Sequence, residues 1–167
     1  SILIKQRNRL FPLQVPPSLK IAYVWGKGLG VLANKNFKKS ETIINFKADI
    51  VQNSKASPEA VQIDEHHSFD TKWLVVEAFL NHSCDANTKL DVNTKSYVAI
   101  KGIRKNEEIT FNYNTTEWDS GNDVFNCNCG SRNCYGKVKG LKYLPHKERK
   151  RLKPYLLPFL AQKLARQ

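Results

Sequence analysis

The four cysteines of this 167-residue chain fall at positions 84, 127, 129 and 134, one distant residue and a Cys-x-Cys-x4-Cys cluster. Zinc prefers four thiolates in a tetrahedron, and a tight turn presents several sulfurs from one short segment. Gly130 and Gly136 supply the backbone freedom such a knuckle needs. Two readings compete with the metal. A pair of disulfides is disfavoured by the lack of a recognisable secretion signal, since Ile2-Leu3-Ile4 is interrupted at once by Lys5 and Arg7. Four unrelated buried thiols are disfavoured by the clustering. The cysteine-bearing segment has few apolar residues of its own, so a metal there would fold it.

Other residues carry chemistry only as a set. Asn81-His82-Ser83-Cys84-Asp85-Ala86-Asn87 closely resembles the Asn-His-Ser-Cys-x-Pro-Asn signature of SET-domain lysine methyltransferases. Downstream, Glu107-Glu108-Ile109-Thr110-Phe111-Asn112-Tyr113 resembles that family's Glu-Glu-Leu-Thr-Phe-Asp-Tyr signature. Upstream, Lys27-Gly28-Leu29-Gly30-Val31-Leu32-Ala33 looks like its opening Gly-x-Gly strand, and Cys127 to Gly136 matches its post-SET zinc segment. Four motifs in family order cover roughly residues 20–136. There are departures: Ala86 replaces the usual proline, Asn112 the usual aspartate, and the arginine that often precedes the first signature is replaced near Ala78.

The resemblance implies a mostly β fold, the β-clip of small curved sheets around a pseudoknot in which the Asn81 segment passes through a loop closed by the Tyr113 segment. It assigns Cys84 to the same zinc as Cys127, Cys129 and Cys134, and S-adenosylmethionine as the second cofactor. The implied cofactor contacts are Lys27, Gly28 and Leu29 through backbone, Asn81 through side chain and backbone, His82 through backbone, and Tyr113. Without the resemblance His82 could be read as a metal ligand or a general base. Tyr113 becomes the catalytic tyrosine, its hydroxyl beside the transferring methyl. Phe111, two residues away on the same strand face, leaves room for di- or trimethylation where a tyrosine hydroxyl would hold a space-filling water. Trp118 is expected to line the substrate channel, with Tyr135 and Trp73 as further candidate walls of channel or cofactor pocket.

Methyl transfer from a sulfonium to an amine is an in-line displacement, so the protein chiefly aligns and stabilises. The attacking lysine must be neutral although its ordinary pKa is about 10.4; a narrow apolar channel favours the uncharged amine. The expected function is therefore a protein-lysine N-methyltransferase, its substrate a protein lysine, with histones among the candidates. The alternative is a catalytically silent SET-like zinc module that binds chromatin or nucleic acid through a basic tail.

Positioning these residues falls to many short strands with helix only at the end. Strands are expected at residues 21–24, 31–33, 41–46, 97–100 and 108–113, and a strand or short helix at 73–80. Residues 1–20, with Pro12, Pro16 and Pro17, read as an irregular or edge-strand lead-in, and residues 47–65 as a polar loop with a little helix. From about Pro145, Leu152, Tyr155, Leu156, Phe159, Leu160 and Leu164 recur at three or four, one helical stripe broken or started by Pro154 and Pro158. These divisions give a lead-in at 1–20, the SET domain at 21–118, the zinc segment at 119–136 and a basic tail at 137–167.

The net charge of +12 is uneven: residues 137–167 hold ten Lys and Arg against Glu148 alone, and the rest of the chain is nearly balanced. An anionic partner for the tail, or simply a solvated helix face, accounts for that. No apolar run approaches the roughly 18 residues of a membrane span, and an intracellular setting, nuclear or cytoplasmic, is the expectation.

Overall fold

The structure is a computed structural model that describes residues 2–6, 9–57, 60–71 and 75–166. Trp73 lies outside the described residues. Strands β1 (Ile2–Gln6) and β2 (Arg9–Leu13) form an antiparallel hairpin, the edge-strand form of the expected lead-in. In a two-stranded ribbon each strand is an edge, where Pro12 leaves no central ladder bond unmade.

Next come β3 (Leu19–Val24) and β4 (Gly28–Ala33), a hairpin in register from Leu19 opposite Ala33 to Val24 opposite Gly28. Its turn needs positive φ at Gly26, 74°. β5 (Thr42–Asn45) follows, then β6 (Asp49–Gln52), β7 (Val61–Gln62) and β8 (His67–Asp70), which make a three-stranded sheet in the order β6-β8-β7. Within residues 47–65, expected as a loop with a little helix, the 3-10 turn Asn53–Lys55 is the helix, and two short strands, β6 and β7, interrupt the loop.

A second 3-10 turn, Val76–Phe79, leads into β9 (Asn81–His82). β10 (Thr88–Asp91), β11 (Ser96–Ala99) and β12 (Glu108–Phe111) complete a seven-stranded sheet ordered β3-β4-β12-β10-β11-β5, with β9 also on β12. β12 is the hub. It runs antiparallel to β4 and parallel to β10 and β9, setting Thr110 opposite Asn81 and Phe111 opposite His82. That pairing brings the two signatures together from 29 residues apart in sequence. The expected strand over 108–113 stops at Phe111, and Tyr113 begins a 3-10 turn, Tyr113–Thr115. Asn112 causes the change by capping it, its side chain accepting from the Asn114 N–H at 3.1 Å.

β13 (Phe125–Asn126) and β14 (Lys137–Val138) bracket the cysteine segment. The tail is two helices, α1 (His146–Leu152) and α2 (Pro158–Ala165), with Pro158 in the first turn of the second. It is docked. Leu157 joins the main core of Val31, Leu80, Ile109 and Phe111, and its N–H donates to the Thr115 carbonyl at 3.0 Å. Leu152 and Leu160 build a second core with Leu141 and Leu144. Among the described residues no helix is long and apolar enough to cross a membrane.

Candidate functional site

The Sγ atoms of Cys84, Cys127, Cys129 and Cys134 all lie within 4.8 Å of one another. A tetrahedron with Zn–S bonds of roughly 2.3 Å has edges of roughly 3.8 Å; Cys84 and Cys127 stand 3.7 Å apart. That is far outside the roughly 2.05 Å of a disulfide, and the four cysteines are free. The donor set and spacing fit a structural zinc. Burial pushes the Cys84 thiol strongly up and, with neighbouring thiols, Cys127 up to about 11. Burial also opposes ionisation of Cys129, but hydrogen bonds from the Ser131 side chain and backbone bring it down to about 6. A divalent cation would turn all four into thiolate ligands.

β9 and the start of β12 form a polar knot beside the β3–β4 turn. Asn81 Nδ2 donates to the Leu29 carbonyl at 3.1 Å and to Glu108 Oε1 at 2.9 Å. The other Glu108 oxygen pairs with Lys27 Nζ at 2.6 Å, both side chains mostly out of solvent. Glu108 stands within a signature, yet its sequence context gives it no role; only the fold reveals it as the brace that orients both Lys27 and Asn81. Trp25, Tyr23 and Leu29 stand exposed on the same hairpin. Gly30 is required here by contact: a Cβ would lie 2.7 Å from both Asn81 Nδ2 and Val24 Cγ2. Gly30→Ala is expected to lower stability by about 1–3 kcal/mol through overpacking and to weaken binding at the Asn81 face. Thermal melts with and without ligand check both effects, and unchanged values would remove Gly30 from the site.

His82 is buried and its side chain is committed within the protein. Its Nδ1 accepts the Tyr113 N–H at 3.2 Å, so Nε2 carries the hydrogen and faces Cys84 Sγ at 3.3 Å. Burial, helped by Lys27, holds its pKa down to about 4, which makes it neutral at pH 7. It is neither a fifth metal ligand nor a free base. It joins a cysteine of the cluster to the backbone of Tyr113.

The Tyr113 hydroxyl donates to the Leu80 carbonyl at 2.8 Å, and its ring packs 4.7 Å from Phe111 and 5.3 Å from His82. Burial first, then the charges of Glu117 and Glu108, push its pKa up to about 12. The phenol therefore stays protonated and works as a donor and a steric wall. Phe111 and Tyr113 remain neighbours although the strand ends between them.

Tyr135 acts as a joint between the second signature, the cysteine cluster and the tail. Its hydroxyl accepts from Asn112 Nδ2 at 2.7 Å and from Arg151 at 3.0 Å, and its N–H donates to Cys84 Sγ at 3.4 Å. Asn112 also faces the Cys84 carbonyl at 3.4 Å. The Cys84 carbonyl can only accept, so that contact needs an amide donor, which asparagine supplies where the family usually has aspartate. Arg151 donates to the Cys84 carbonyl at 2.8 Å, tying the tail to the cluster. Trp118 belongs to the second core, with Lys163 5.2 Å above its ring; its sequence neighbours Glu117 and Asp119 line the cavity instead. Phe46, Phe69 and Tyr97 supply the cavity's aromatic side chains beside Phe111 and Tyr113.

That cavity holds about 530 Å³ and includes Phe111, Tyr113 and Leu80 in its lining. A row of rings, Phe69, Phe46, Tyr97, Phe111 and Tyr113, runs along it with successive centroids 4.7–5.9 Å apart. Its lining joins that row of rings and the Tyr113 hydroxyl to polar groups, among them Gln62, Glu77, Glu117, Asp119 and Asp123, a setting suited to the stem and charged end of an alkyl amine.

Residues 28–114 match the model of the SET domain. The chain is 31% identical over 155 residues to "Histone-lysine N-methyltransferase mes-4" of Caenorhabditis elegans, covering 74% of this chain and 17% of that protein. It is 41% identical over 68 residues to "Histone-lysine N-methyltransferase, H3 lysine-36 specific" of Mycosarcoma maydis, covering 37% of this chain and 7% of that protein. The chain thus spans less than a fifth of the length of these relatives. Among solved structures, "KRYPTONITE in complex with mCHG DNA and SAH" superposes with a TM-score of 0.60 at 19% identity, covering 71% of this chain and 28% of that one. A second KRYPTONITE structure, titled with DNA, an H3(1-15) peptide and SAH, gives 0.59 at 18% identity over 71% and 29%. With a family model matched over more than half its length and the same β architecture, the chain belongs to the SET domain family.

Proposed function

We propose that the chain is the methyl-transferring domain of a protein-lysine N-methyltransferase that uses S-adenosylmethionine. The observation that carries the reading is the Tyr113 hydroxyl, fixed on the Leu80 carbonyl at the end of an aromatic slot and beside Asn81-His82. Relatives named as histone-lysine methyltransferases and a SAH-bound neighbour support it. Lys27, Gly28, Leu29, Asn81 and the His82 backbone would hold the cofactor, which supplies an electrophilic methyl group. The protein's own work is to strip water from the substrate amine and aim it. Tyr113 narrows the slot and fixes the polar end; Phe111 sets its width.

Histone H3 is the proposed substrate, on the strength of relatives named for H3 lysine-36 and H3 lysine-4. The alternative, a silent module working through its tail, loses support from the fold. Lys142 pairs with Asp119, Arg151 with Glu148 and Cys84, and Arg149 with the carbonyls of Leu144 and Lys142, so several tail cations hold the structure together. The deciding experiment is transfer of radiolabelled methyl to histones and nucleosomes, followed by mass spectrometry of the product. Because Phe111 has no hydroxyl to anchor a water, di- or trimethyl-lysine is expected; a purely monomethyl product would sink that part. No transfer, together with no thermal shift by S-adenosylmethionine, would favour the silent module.

A further inference from the structure

Among the described residues, one buried side-chain oxygen has no hydrogen-bond partner, Oε1 of Glu77. Glu77 lies in the 3-10 turn before β9. Its carbonyl accepts the Leu80 N–H at 3.1 Å, and the Leu80 carbonyl is the one that receives the Tyr113 hydroxyl. Glu77 lines the same cavity as Tyr97, Phe111 and Tyr113. A carboxyl group thus sits one tight turn from the hydroxyl that marks the end of the amine slot. Leaving such an oxygen unmatched costs stability.

The groups around it do not neutralise it. Tyr97 from β11, Tyr113, and Glu117, Asp119 and Asp123 beyond it share the cavity; among the described lining residues there is no Lys or Arg. β4, against which the turn packs, carries no ionisable side chain. Asp119 is taken by Lys142 and Glu117 accepts from Ser120, while Glu77 has only its own backbone N–H favouring ionisation. Burial pushes its pKa up to about 7, so it stands near half-ionised at neutral pH.

We propose that Glu77 takes the proton that the substrate lysine must lose, which makes it a catalytic residue beside Tyr113; this rests on the methyltransferase reading. An N–H bond of the ammonium breaks, its electron pair stays on nitrogen, and an O–H bond forms on the Glu77 carboxylate. Where the Glu77 carboxyl is buried, the amine and carboxylic acid are favoured over the ion pair because neither needs solvation. The carboxylic acid returns its proton to water at the cavity mouth after turnover. Of the other described acids in the cavity, Asp119 is paired with Lys142, Glu117 is held by Ser120 and Asp123 stands exposed to solvent. Tyr113 is a protonated donor, and both ring nitrogens of His82 are engaged.

The test is kcat/KM between pH 6 and 10 for wild type and Glu77→Gln, with H3 peptides covering the two lysines for which the relatives are named. Wild type is expected to lose about tenfold per unit below about pH 7 and to be flat from about 8 to 9.5. Glu77→Gln, left with only the free amine as nucleophile, is expected to be at least about 30-fold slower at pH 8. Its rate should climb about tenfold per unit toward pH 10, approaching the amine's own pKa. Thermal melts give a readout without turnover. Because the folded pKa of Glu77 exceeds the ordinary 4.5, its burden is absent below that pH and complete above about 7. Glu77→Gln should therefore melt higher than wild type at pH 8 and equally at pH 4. Should the variant fail to fold, the wild-type profile still decides: a rate that climbs steadily through pH 8–10 with no break near 7 overturns the assignment. Identical profiles, or equal melts at pH 8, do the same. A wild type that methylates nothing refutes the methyltransferase reading, and Glu77's role with it; an active wild type with a Glu77-independent profile refutes Glu77 alone.

Discussion

Purified protein should carry one zinc ion per chain, and removing it with a chelator should unfold residues 125–138 and lower methyl transfer by at least about 100-fold. The segment has little else to hold it. β13 and β14 are two residues each, Phe125 and Val124 are exposed, and residues 127–137 lie largely at the surface. Structural zinc contributes of order 10 kcal/mol to such a knuckle, more than its few contacts could replace. The damage should then spread inward. Cys84 is buried, and without a cation burial holds it as a thiol facing three others. Its Sγ receives the His82 Nε2–H, and His82 in turn holds the Tyr113 N–H, so two hydrogen bonds separate the cysteine cluster from Tyr113. Elemental analysis counts the ion, and hydrogen exchange before and after chelation reads the segment and the Tyr113 amide. A metal-free protein that keeps both its protection and its activity would dismiss the cluster as packed thiols.

What was legible in sequence is what local chemistry encodes. Cys127, Cys129 and Cys134 are near-neighbours in sequence, so their spacing alone announces a metal knuckle. Cys84 could be joined to them only through the signature around it, because a contact across 43 residues leaves no local trace. The strands rich in Val, Ile and Tyr were readable. β6 to β8 were not, since Asp49, Gln52, Ser68 and Asp70 are poor strand formers held extended by pairing with one another. The end of β12 was misplaced for a similar reason. Alternation predicts that the strand runs on to Tyr113, but the Asn112 side chain competes for the backbone and starts a turn.

The site divides along the same line. The identities of Tyr113, Phe111, Asn81 and the cysteines come from motif chemistry. The roles of Glu108, Tyr135 and Arg151 come from partners 16 to 81 residues away, which no single-sequence pattern contains. Glu77 is the sharpest case. An acid beside Val75, Val76 and Ala78 reads as the polar face of an amphipathic stretch, and only the packing of β4 and the aromatic row turns it inward. Trp118 shows the same limit: a tryptophan near the second signature invites a channel role, and only the docked tail reveals the core it packs against.

Tyr113→Phe should reduce methyl transfer by about 10²–10³-fold while leaving the fold and cofactor affinity nearly intact. The substitution removes one oxygen. Ring packing against Phe111, His82 and Phe125 survives, since those contacts involve the ring face and edge. The stability change is the loss of one hydrogen bond to the Leu80 carbonyl, about 1 kcal/mol. The catalytic change is larger because the hydroxyl is a preoriented polar group where charge shifts between amine and methyl, and removing one such group typically costs about 2.7–4 kcal/mol of barrier. The freed Leu80 carbonyl adds to the loss, for it would stand as a bare acceptor at the slot end and hold the ammonium form of the substrate in place. The variant should thus bind an H3 peptide at least as well as wild type and turn it over far more slowly, a loss in kcat with little change in KM. Radiolabel assays at saturating and limiting peptide separate the two parameters, and calorimetry with S-adenosylmethionine reports the cofactor site. A kcat within about threefold of wild type would strip Tyr113 of its role; a large loss of cofactor affinity would instead mean that the hydroxyl serves the binding face rather than the reaction.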